Sequence, residues 1–90
     1  MYYTNNNGTF IATKYSDYRE LPELIKSKIV HAHWDSHVVV QTIREKVECK
    51  IDDWIVIDCY GNAEVYTDEI FTSKFIPVES INNINNNVNP

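Results

Sequence analysis

The sequence predicts a small α+β domain, an antiparallel sheet of about five strands with one or two short helices. Three observations predict it. Alternating or continuous β-branched runs recur between Ile29 and Tyr66, separated by short polar turns. Two brief helix signatures flank them, Leu21-Pro22-Glu23 before and Thr67-Asp68-Glu69 after. A chain of 90 residues, 43% hydrophobic and 12% aromatic, can bury one core and is too apolar to stay disordered throughout.

Residues 1–8 read as a flexible N-terminal segment, with TNNNG at 4–8 as a loop. Thr9–Tyr15 is β-branched and aromatic, fit for a first strand or an extended arm. Pro22 suits the first position of a helix of about two turns, because its missing N–H would have no partner there. Glu23 at the start and Lys26 and Lys28 near the end match the helix dipole. Leu21, Leu24, Ile25 and Ile29 form its apolar stripe. From Ile29 the pattern becomes β. Val38–Ile43 is rich in β-branched residues, and Arg44–Lys46 can turn the chain. Val47, Cys49 and Ile51 alternate with Glu48, Lys50 and Asp52, a strand with one wet face. Asp52-Asp53 makes a turn. Trp54–Cys59 is apolar on both parities apart from Asp58, which predicts a central strand covered on both faces. Gly61 reverses the chain into a return strand, Ala63–Tyr66. Thr67 is placed to cap a short helix that docks Ile70, Phe71 and Phe75, and Pro77 ends it. The domain is expected to span residues 9–79. The asparagine-rich segment 80–90 has too little apolar surface to order itself and reads as a disordered tail.

Charge narrows the partners. Thirteen acidic residues against eight basic ones leave a net charge of -5, and the carboxylates are spread along the chain. That balance disfavours direct nucleic-acid binding, which needs clustered lysine and arginine, and favours a basic host protein as partner. Cys49 and Cys59 are not a CxxC pair and do not make a disulfide-dense scaffold, so both are expected as free thiols and packing residues. The sequence carries no signal-peptide pattern and no apolar run of the roughly 20 residues that span a membrane. The expected location is intracellular, in a host cytoplasm, or within a virion.

Residues 52–79, DDWIVIDCYGNAEVYTDEIFTSKFIPVE, resemble the C-terminal part of a small, widespread family of bacteriophage and prophage proteins of unknown function. The family pattern is Gly-Asp-Tyr/Trp-Ile-Ile, a turn, Gly-Glu, then Asp-Ile-Phe and an aromatic near Pro-Val-Glu. Asp53, Trp54, Ile55 and Val56 match the opening and Gly61 the turn glycine. Ile70 and Phe71 match the Ile-Phe, Phe75 the aromatic, and Pro77, Val78 and Glu79 the close. Upstream, Leu21-Pro22-Glu23 and Ile29–Ile43 can be laid on that family's helix and strand pair. Asp52 stands where the pattern has its first glycine, Asp58 at the first glycine of the turn, and Val65 and Asp68 where the family has prolines. The resemblance implies a phage or large-virus origin and a core built from the strand at 54 and the anchors Ile70, Phe71 and Phe75. It implies no reaction.

The chemistry-bearing candidate is IVHAHWDSHVVV, residues 29–40. On one continuous strand, His31, His33, Asp35 and His37 project from the same face, while Ala32 and Trp34 pack inward. Neighbouring Cα atoms on that face would lie about 6.5–7 Å apart. A metal needs three or four donors converging at about 2.0–2.3 Å, which an H-x-H pair and a third ligand could supply. Alternation of this kind is also what any half-exposed strand shows. A Cys-His nucleophile pair would need Cys49 or Cys59 beside His37, and Asp52-Asp53 as an acid–base pair competes with a plain turn. No GxxxxGK[ST], GxGxxG or GxSxG motif occurs, and two glycines in the whole chain argue against a phosphate-cradling glycine loop. The sequence therefore predicts a non-enzymatic viral or phage-type accessory protein that binds another protein and needs no cofactor. The alternatives are a metal-binding or metal-dependent enzyme using the histidines, and a virion component self-associating through a sheet edge.

Overall fold

The protein is described from a computed structural model, which describes residues 2–5, 8–33 and 36–78. Among the described residues the chain is α+β, as the patterning predicts, but its strands divide between two antiparallel sheets. The main sheet holds five strands: β1 (Tyr2–Asn5), β2 (Gly8–Lys14), β6 (Trp54–Ile57), β7 (Ala63–Tyr66) and β8 (Ile76–Pro77), in the order β7-β6-β2-β1-β8. The second sheet holds β3 (Ile29–His33), β4 (His37–Gln41) and β5 (Lys46–Lys50) in sequence order. Two short helices, α1 (Glu23–Lys26) and α2 (Asp68–Lys74), complete it, with a 3-10 turn at Tyr18–Glu20.

The central strand is β6, and it is covered on both faces as its double apolar parity requires. Ile55 and Ile57 pack with Tyr15, Leu21, Ile25, Val38, Val40, Cys49 and Ala63, so α1 and the second sheet close one face. Val56 faces the other way and packs with Ala12, Phe71 and Phe75 under α2. Trp54, expected to be buried, is half-buried; it stacks on Phe71 and its indole N–H donates to Asp68 at 2.8 Å. This side is an aromatic layer. Trp54 and Phe71 stack with centroids 3.9 Å apart and planes 7° apart, Tyr3 meets Phe71 edge-on at 4.9 Å, and Phe10 meets Phe75 edge-on at 5.2 Å. Thr67 caps α2 by accepting from the Ile70 N–H, as its hydroxyl and position predict.

Several expectations are corrected. Residues 2–5 lie in strand β1, not in a flexible segment: β1 pairs with the next strand, β2, on one side and with the sequence-distant β8 on the other, and that pairing supplies what its own composition does not. Ile70 is 46% exposed, because the face that buries Phe71 and Phe75 turns Ile70 outward. Leu24 on α1 and Ile51 after β5 are likewise exposed: α1 is a single turn that buries Ile25 alone, and β5 ends at Lys50. Cys59 is exposed, since β6 ends at Ile57 and Cys59 belongs to the following turn. Pro77 sits in edge strand β8, three residues beyond the end of α2 at Lys74. The segment 80–90 lies outside the described residues.

Local chemistry fixes the connections. Asp52 adopts a φ of 78°, in the left-handed region where glycine is at ease, at the position where the resembled pattern carries glycine. Its neighbour Asp53 accepts from the Lys50 N–H at 3.0 Å, so this carboxylate pair is a turn. Asp17 caps the 3-10 turn. Hydrogen bonds from the Arg19 side chain and backbone N–H hold its carboxyl below the usual range, at about 2.

Candidate functional site

The histidines are brought together, though not on one strand. The chain reverses between His33 and His37, which sit opposite each other as a cross-strand pair. His31 and His33 share β3, and His37 opens β4. The rings form a row, with centroids 4.4 Å apart for His31–His33 and 4.4 Å for His33–His37. Asp35 and Trp34 lie outside the described residues. His37 Nδ1 is 2.9 Å from the Ser36 hydroxyl, and its Nε2 is 3.6 Å from a Glu48 oxygen. Among the described residues, no three histidine, cysteine, aspartate or glutamate side chains are grouped to hold a metal ion. The row lines the outer face of the second sheet, whose inner face presents Val38, Val40 and Cys49 to the core. Cys49 and His37 therefore occupy opposite faces and cannot act as a nucleophile–base pair. Burial, and then the Asp53 charge, push the Cys49 thiol up to about 12, so it stays protonated at neutral pH.

A second feature was not legible as a site in the sequence. Two turns gather with the facing ends of β1 and β2, Asn5 and Gly8, at one end of the molecule, the end away from the histidine row. They are the β4–β5 turn at Thr42–Glu45 and the β6–β7 turn at Asp58–Asn62. His37 and Gln41 bound β4, so the row and the Thr42 turn are separated by roughly 13 Å along the strand.

Both turns are rigid because a side chain closes each. Thr42 is buried; its hydroxyl donates to the Glu45 carbonyl at 2.7 Å and accepts from the Glu45 N–H at 3.1 Å. Closing the turn this way drives Ile43 outward. Asp58 accepts from the backbone N–H groups of Tyr60 and Asn62, both at 2.9 Å, and Gly61 supplies the positive φ of 83° that the reversal needs. This closure drives Tyr60 outward. Tyr60 is 85% exposed and Ile43 68%, the two most exposed large apolar residues among those described. The sequence signal was present but small: Asp58 three residues before Gly61 marks an Asx-type turn, and an aromatic inside such a turn has no core to enter.

Two clefts flank the Asp58–Asn62 turn. One, of about 330 Å³, lies where α2 ends and the aromatic layer runs on uncovered; Phe10, Tyr66 and Phe75 form its apolar wall, and Asp58, Glu64 and Cys59 its rim. Burial, and then Glu64, push the Tyr66 phenol above its ordinary value. The other cleft, of about 290 Å³, runs between Val30, Thr42, Ile43 and Ala63. Arg44, on the Thr42–Glu45 turn, reaches across to Glu64 of β7 at 3.9 Å. No helix among the described residues is long and apolar enough to cross a membrane. Comparison of the chain with family models, curated proteins and solved structures gives no match.

Proposed function

We propose that this chain is a non-enzymatic accessory protein of viral or phage type that binds another protein through its turn end. The observation that carries the reading is the exposure of Tyr60 and Ile43, each held outward on a turn closed by a buried or half-buried polar side chain and each lining one of the two clefts. A rigid exposed tyrosine beside a concavity is the arrangement from which interface hot spots are made. The net charge of -5 favours a basic partner. The viral assignment draws on the resemblance at residues 52–79.

The test is affinity capture from an extract of the natural host, using the parent chain and the double variant Tyr60→Ser, Ile43→Ser in parallel. Both positions are exposed, so the variant should keep the parent's melting temperature. Loss of a hot-spot residue costs about 2 kcal/mol or more, so a partner held by the parent should bind the variant at least about 30-fold more weakly. Equal capture by both would overturn the reading, and capture of the chain by itself alone would favour self-association. The alternative read from the sequence, a metal site at His31, His33, Asp35 and His37, draws on the spacing of those residues, and metal titration addresses it directly.

A further inference from the structure

We infer that the larger cleft at the turn end receives an arginine side chain of the partner protein, an inference that rests on the proposed binding role and names its chemistry. The cleft is aromatic below and acidic at the rim. Phe10 and Tyr66, both half-buried, present ring surface above the buried Phe75, while Asp58 and Glu64 are the charged residues that line it; among the described residues no lysine, arginine or histidine does.

The neighbours already show what these groups attract. The Lys74 ammonium lies over the Tyr66 ring, 5.6 Å from its centroid. The Arg44 guanidinium lies 3.9 Å from a Glu64 oxygen, and its side chain is 78% exposed, so this long pair yields readily to a better-placed cation. One Asp58 oxygen closes its turn through two backbone N–H groups, which fixes the direction of the carboxylate. A planar guanidinium can lie flat on a ring and still direct two N–H donors at a carboxylate. A lysine ammonium is a point charge and satisfies one demand at a time. A cleft of about 330 Å³ suits a side chain and is small for a folded element, so a protein partner would insert one residue here while its surface meets Tyr60 and Ile43.

The test is a titration of the full-length ¹⁵N-labelled protein with the blocked tripeptide acetyl-Gly-Arg-Gly-amide, followed by backbone amide shifts. Saturable shifts are expected at Asp58–Asn62, Glu64 and Tyr66. The lysine analogue should bind more weakly and the glutamine analogue should leave those amides unmoved. Glu64→Gln removes a rim charge, and Asp58→Asn keeps the oxygen that closes the turn while removing its charge. Each should weaken binding about fivefold without unfolding the protein, and added salt should weaken it further. Alkylating exposed Cys59 with N-ethylmaleimide should block the cleft and abolish the shifts. Saturable shifts confined to the Glu48 and histidine face, equal binding of the glutamine peptide, or indifference to both rim variants would overturn the inference. If host capture depends on Tyr60 and Ile43 while the arginine peptide leaves the cleft unmoved, the turn end is the interface and the arginine inference falls alone.

Discussion

Phe71→Ala removes the side chain on which the aromatic layer is assembled. Phe71 is 1% exposed and is the buried residue of α2, so the helix is tied to the sheet through it. Phenylalanine-to-alanine changes in cores cost about 3–5 kcal/mol. Here the loss should fall in the upper half of that range, because three ring contacts go at once: Trp54 stacked at 3.9 Å, Phe75 stacked at 4.9 Å and Tyr3 edge-on at 4.9 Å. Such pairs add about 0.5–1.5 kcal/mol each beyond area, and the remaining rings recover part of it by closing up. A loss of about 4–5 kcal/mol is expected, against a total stability on the order of 5–13 kcal/mol for 90 residues. In urea, with a slope of about 1–1.5 kcal/mol/M for a chain of this size, the midpoint should fall by about 3 M or the variant should be unfolded from the start. Far-UV circular dichroism follows the transition, and Phe71→Leu, which keeps most of the volume but loses the ring contacts, should lose about 2–3 kcal/mol, less than Phe71→Ala. A midpoint shift below about 1 M for Phe71→Ala, at unchanged slope, would refute the argument that α2 is held through this ring.

Two other outcomes follow from side-chain placement. Native protein treated with a thiol reagent at mildly alkaline pH should be labelled at Cys59 and spared at Cys49, whose thiol is buried and stays protonated until about pH 12; both should react in denaturant, and native labelling of Cys49 read by mass spectrometry would contradict its burial. His31→Ala and His33→Ala should each change stability by no more than about 0.5 kcal/mol, and zinc should not raise the parent's melting temperature, as exposed strand residues require; a zinc-dependent rise abolished by the double variant would transfer weight to the metal reading.

The stretch from Trp54 to Phe75 was legible because its signals are local. A doubly apolar run, a turn glycine, a β-branched return and a threonine cap each act within a few residues, and they yield β6, β7 and α2 where the pattern places them. The second sheet was not legible. Alternation tells which face of a strand is wet but not which strand lies beside it, so β3, β4 and β5 read as members of one sheet. Strand β1 was hidden for the same reason: Tyr2–Asn5 is short and borders an asparagine tract, and pairing with β2 and β8 decides its state. Of the sites, the histidine row could be read from spacing, although the chain reversal that makes His33 and His37 a pair could not. The individual turns at Arg44 and Gly61 could be read, but their gathering at one end could not, because it depends on how the two sheets meet and where α2 stops short of covering the main sheet.

The pairing of β1 with β8 also decides how the domain would answer a mechanical load. Tyr3 lies opposite Pro77 and Thr4 opposite Ile76, so Tyr2 and Val78 lie close together at one end of two antiparallel neighbours. A pull applied between those points opens the strands as a zipper, one rung after another, and does not shear all rungs together. The first element to lift is β8, which is two residues long and contains a proline that can donate no hydrogen bond. Phe75, directly before it, is then drawn on, and the aromatic layer under α2 is the next to feel the strain. The β6–β7 turn, at the far edge of the same sheet, is the last part of that sheet to be loaded.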